Sequence, residues 1–85
     1  MNREQRISKK LSEKLEPEFL QVNNNSALHK GHLGDDGTNE THFLITIKSL
    51  KLKDLNRIKS HRTINDILQD EFKNGLHALE IKILP

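Results

Sequence analysis

Two short segments of strict alternation, separated by a stretch of helical period, do most to restrict the architecture open to this chain. In the first, Phe43, Ile45 and Ile47 fall on one face, while His42, Thr46 and Lys48 fall on the other, wet face. In the second, Leu79, Ile81 and Ile83 alternate with Glu80 and Lys82. Between them Ile64, Ile67, Leu68 and Phe72 follow helical spacing, with Asp70 and Glu71 assigned to the outer side and Asn74 and Gly75 closing the helix. A strand joined to another strand through a helix favours a parallel, right-handed unit, because an antiparallel pair needs only a tight turn. Both strands are then expected to begin at the same end of one sheet, with Thr41 near Leu76.

The N-terminal part supplies one more helix and one more strand. Ile7, Leu11 and Leu15 recur every four residues between about Asn2 and Leu15, a narrow stripe that predicts a helix ending before Pro17. Phe19 to Val22 alternates as a short strand, and Asn23, Asn24, Asn25 and Ser26 are expected to end it, since their side chains compete for local backbone groups. Residues from about Asn24 to Asn39, with Gly31, Gly34 and Gly37, read as a long loop, and loops of this length in small domains are usually functional. The predicted order is helix, strand, strand, helix, strand. At 85 residues this makes a single domain, 1–85, with no room for a large cleft. Hydrophobic residues at 33% suffice for one amphipathic layer packed on another. No apolar run approaches the roughly 20 residues of a membrane span, and the first residues do not resemble a signal peptide, so a cytoplasmic location is expected.

Histidine is the chemistry this composition leaves for a metal. There is no cysteine, which removes disulfide, thiolate and self-contained iron-sulfur chemistry together. His29 and His32 lie in the long loop, and His77 shares the parity of the apolar row in the last strand. The loop feeds into the start of the second strand, so parallel pairing brings His77 within reach of the loop histidines. A histidine pair in a loop is by itself more often solvated than ligating, and a strand-end histidine usually just satisfies one ring nitrogen. Two imidazoles would also leave a tetrahedral zinc site half empty without a partner. His42 opens the second strand near this site and is the spare candidate, with a wet-face position favoured for it. His61 joins the apolar stripe of the second helix and is assigned to the core margin, with no ligand role.

A basic stretch is the second signal. Lys48, Lys51, Lys53, Arg57, Lys59 and Arg62 are opposed only by Asp54, in a chain whose net charge is +2. Such a patch can contact phosphates through a sequence-independent, salt-sensitive attraction. It lacks a G-x-x-G loop, and the chain has no Tyr or Trp to stack on bases, so a solvated face or a docking surface for an acidic partner is at least as good an account. No nucleophile elbow, phosphate-cradling loop or positioned acid pair suggests an enzyme.

Read together, R-I-S-K-K-L, N-N-S-A-L-H, T-N-E-T-H-F, H-R-T-I-N-D-I-L and G-L-H-A-L-E-I-K-I resemble the BolA family in order and spacing over essentially the whole chain. The resemblance implies an α+β, class II KH-like fold with a three-stranded mixed sheet and helices on one face. It further implies a protein that is monomeric alone and pairs with a monothiol glutaredoxin, sharing a 2Fe-2S cluster whose remaining ligands are the glutaredoxin cysteine and glutathione. No cofactor is expected in the isolated protein. In this family the position of His77 is the regular ligand and the loop supplies the second, which here is His29 or His32. His29 is the better match to the N-S-x-x-H stretch, and the choice stays open. A role in iron-sulfur trafficking or in iron and stress regulation follows, with a DNA-binding transcriptional regulator using the basic stretch as the alternative. Leu52, Asp54 and Ser60 depart from residues common in the family around that basic turn.

Overall fold

A computed structural model describes residues 2–26 and 41–85. Helix α1 (Arg3–Leu15) is followed by β1 (Phe19–Asn24), β2 (His42–Lys48), a 3-10 turn (Leu50–Leu52), α2 (Arg57–Ile67), α3 (Gln69–Lys73) and β3 (Ala78–Ile83). Asn2 starts α1 with a reciprocal cap: its side chain accepts from the Gln5 amide, and its own amide donates to the Gln5 side chain. The helix stops at Glu16, whose left-handed backbone (φ 44°, ψ 56°) precedes Pro17. Gly75, with φ 119°, makes the turn after α3 that a side chain would obstruct.

The sheet has the order β1-β2-β3, with β1 antiparallel and β2 parallel to β3. His42 sits opposite Ala78 and Ile47 opposite Ile83, so the two strands do begin at one end, as the crossover requires. Thr41 lies near Leu76 as expected, with its carbonyl accepting from the amides of the next two residues, His77 and Ala78, at 2.9 and 3.1 Å. Register stacks Leu20, Ile47 and Ile83 in one row and Val22, Ile45 and Ile81 in the next. Over these rows Ile7, Leu11 and Leu15 of α1 and Ile64 of α2, with Leu68, close a single core. Both long helices therefore cover one face of the sheet.

Three expectations need correction. The first strand runs two residues further than its apolar alternation, because Asn23 and Asn24 pair with Leu44 and Phe43 and the ladder outweighs local side-chain competition. The competition appears one step later, where the Asn24 side chain accepts from the Ser26 amide at 3.0 Å. The second helix is broken at Leu68 (φ −99°, ψ 12°) into α2 and α3. Glu71, assigned to the outer side, is buried at 3% exposure. It lies seven residues after Ile64 and three after Leu68, on their stripe, and so turns inward. Arg3, likewise buried, lies four before Ile7 on the stripe of α1. The two stripes thus end in opposite charges that meet: Glu71 accepts from Arg3 at 3.3 Å, Arg6 at 3.0 Å and Lys10 at 2.6 Å.

Candidate functional site

The start of the parallel pair is built around a carbonyl and a hydroxyl. Thr41, fully buried, directs its carbonyl at the His77 and Ala78 amides and so fixes the backbone on which the His77 side chain stands. Ser26, also buried, uses one hydroxyl to accept from the Thr41 and His42 amides, at 2.8 and 3.0 Å. The His42 carbonyl in turn accepts from the Asn25 amide at 2.8 Å. Ser26 and Thr41, the residues flanking segment 27–40, are thereby clamped together at the same sheet end as His77. These two residues carry no chemistry of their own and were missed from sequence; the signal available was a small hydroxyl residue at each boundary of the long loop.

His77 is exposed immediately before β3. The His42 ring lies beside it, with centroids 5.4 Å apart and planes tilted by 48°. Contrary to the wet-face expectation, His42 is buried at 7% exposure, and its Nδ1 is 2.8 Å from the Thr41 hydroxyl. Alternation placed His42 on the open face, but the strand end is closed over by Ser26 and Thr41. His29 and His32 lie outside the described residues, and among the described residues no group of three metal-ligating side chains converges. The geometry at this end is therefore two neighbouring imidazoles, one anchored by a hydroxyl and one exposed.

The basic stretch occupies the opposite end. Lys48 closes β2, six residues and roughly 20 Å along the strand from His42. Two of its cations are engaged, Lys48 with Glu18 at 3.6 Å and Lys51 with Glu16 at 3.1 Å. Lys53, Arg57, Lys59 and Arg62 are exposed and form no salt bridge among the described residues. His61 is half-buried beside them, in the wall of a surface cavity, in keeping with a place at the core margin. No helix among the described residues is long and apolar enough to cross a membrane.

Comparison with known proteins agrees with this architecture. A model of the BolA-like protein family matches residues 11–85. The UV-induced protein uvi31 of Schizosaccharomyces pombe is 42% identical over 84 residues, covering 95% of this chain and 82% of that protein. The DNA-binding transcriptional regulator BolA of Vibrio cholerae is 41% identical over 75 residues, covering 88% of this chain and 67% of that protein. The solved BolA domain of SufE1 from Arabidopsis thaliana superposes with a TM-score of 0.88 at 44% identity, over 98% of this chain and 91% of that domain. Sequence match, strand order and superposition agree, and the chain belongs to the BolA-like protein family.

Proposed function

We propose that this protein is a non-enzymatic accessory that binds a monothiol glutaredoxin and contributes histidine to a shared 2Fe-2S cluster, in iron-sulfur trafficking or iron-dependent regulation. The observation that carries this proposal is His77, an exposed imidazole on a backbone pinned by Thr41, beside His42 and the clamped stems of segment 27–40. The donor chemistry fits, since imidazole is a ligand iron accepts and the chain offers no thiolate to compete with it. His77 would be one ligand. His29 would be the second, or else His32, and His29 is only three residues from Ser26, at most about 10 Å of extended chain. Such a cluster supplies one-electron chemistry, at a potential raised where imidazole replaces thiolate.

The chain's own residues perform positioning. Thr41 holds the His77 backbone through its carbonyl, and Ser26 keeps both loop stems at that end. The test is visible circular dichroism of a cluster-loaded monothiol glutaredoxin on addition of this protein. A new spectrum is expected with wild type, its loss with His77→Ala, and its loss with His29→Ala or His32→Ala, whichever removes the loop ligand. An unchanged spectrum with the wild-type protein would end the proposal.

A second function is favoured by a separate observation, the four exposed cations Lys53, Arg57, Lys59 and Arg62, and by the name of the Vibrio cholerae relative. Duplex DNA should be retarded by this protein at low salt, with log affinity falling by roughly 0.9 per neutralised phosphate for each unit of log salt. Replacing Lys53, Arg57 and Lys59 by Gln should abolish the shift. The candidate surfaces lie at opposite ends of β2, so apo-glutaredoxin bound at the histidine end should leave DNA retardation intact.

A further inference from the structure

We propose that the sheet end opposite His77 holds a binding site for an amphipathic monoanion, a carboxylate carried on a hydrocarbon body. A cavity of about 470 Å³ opens there between the 3-10 turn, the first turn of α2 and the end of β3. That volume lies within the range of small-molecule sites. It exists because α1 packs closely on β1, whereas α2 stands further from β3, leaving the core-facing Ile81 and Ile83 only half-buried. Leu52, Leu55 and Leu84 complete an apolar wall with these isoleucines.

The charged part of the lining is net positive, Lys48, Lys53 and Arg57 against Glu18. Lys53 and Arg57 stand at the mouth, exposed and without a salt-bridge partner among the described residues. Glu18, the acid in the lining, is taken up by Lys48 at 3.6 Å. Arg57 and Ser60 belong to the first turn of α2, where the helix presents its positive end. Ser60 is the feature that distinguishes a built site from a surface hollow. It is only 2% exposed and lines the cavity, and its hydroxyl makes no hydrogen bond to any described residue. Its Oγ meets the cavity, where it can donate to an acceptor oxygen on the ligand. A phosphate backbone contacting Lys53 and Arg57 would leave the apolar wall uncovered, so a ligand with a hydrocarbon body suits the lining better.

The test is titration of the ¹⁵N-labelled protein with decanoate below its micelle concentration. Saturable amide shifts are expected at Leu52, Ser60 and Ile83, with none at His77. Decanol and decyltrimethylammonium should bind about tenfold more weakly, as should decanoate to the double variant Lys53→Gln, Arg57→Gln, because each loses charge-assisted contacts. Both substitutions are on the surface and leave folding intact. Absence of saturable shifts overturns the proposal, and so does equal binding of decanol. Shifts confined to the exposed Ile58, outside the cavity, or sedimentation with phosphatidylglycerol vesicles without binding of free decanoate, overturn it in favour of a lipid surface.

Discussion

Glu71 shows how much a single side chain can hold. Burial pushes its carboxyl up, but hydrogen bonds from Arg6 and Lys10 and their positive charges outweigh burial and bring its pKa down from 4.5 to about 2. A carboxylate depressed in the folded state stabilises it above the unfolded pKa, and that contribution is lost as pH falls from about 4.5 to about 2. The shift corresponds to about 3 kcal/mol. Urea denaturation from pH 7 to pH 2 should show the wild-type midpoint falling through this window, and the difference from Glu71→Gln vanishing at its lower end. At neutral pH that variant should lose about 2 to 3 kcal/mol, since buried Arg3 keeps its charge when the Glu71 carboxylate is neutralised. His77 is the opposite case. Being exposed, its replacement by Ala should shift stability by no more than about 0.5 kcal/mol, checked by thermal melting, so any loss of cluster signal is assignable to the missing ligand.

Among elements, β2 is the one on which the rest depends. It pairs on both sides, and its buried Phe43, Ile45 and Ile47 form the centre of the core. Ile45→Ala should cost about 2 to 5 kcal/mol by urea denaturation, the range for deleting a fully buried aliphatic group. The entry to the strand is held differently, through the Ser26 hydroxyl. Ser26→Ala leaves the Thr41 and His42 amides without that acceptor and should cost about 1 to 3 kcal/mol. Faster amide exchange at Thr41 and His42, with the strand centre still protected, would identify the loss as local. The strands and the helical crossover were legible because alternation and helical period are properties of consecutive residues. The extension of β1 into Asn23 and Asn24 was not, because ladder pairing with β2 lies beyond local preference. The break at Leu68 carries no glycine or proline to announce it.

For the molecule as a whole, the sheet separates two surfaces. His42, His77 and the loop stems gather where β2 and β3 begin, while the basic stretch and the cavity lie where they end. Mutations at the two ends are far enough apart to act independently. Combining His77→Ala with Lys53→Gln and Arg57→Gln should therefore give additive effects on cluster spectra, DNA retardation and decanoate binding. Non-additivity in any of these would show that the ends are coupled.

Local pattern was sufficient for the order of elements, the parallel pairing of β2 with β3, and the gathering of His77 with the loop stems at one sheet end. These follow from period, chain connectivity and the short reach of a tight turn, all of which are encoded in neighbouring residues. Burial of His42, the inward turn of Glu71 toward α1, and the unpartnered Ser60 hydroxyl facing a cavity depended on tertiary packing. Each is set by what another element brings against the side chain, and the partners are separated by 15 residues for Ser26 and Thr41 and by 61 for Lys10 and Glu71. Periodicity identifies which face a residue occupies; only the packed structure shows whether that face meets solvent, a charge or a neighbour.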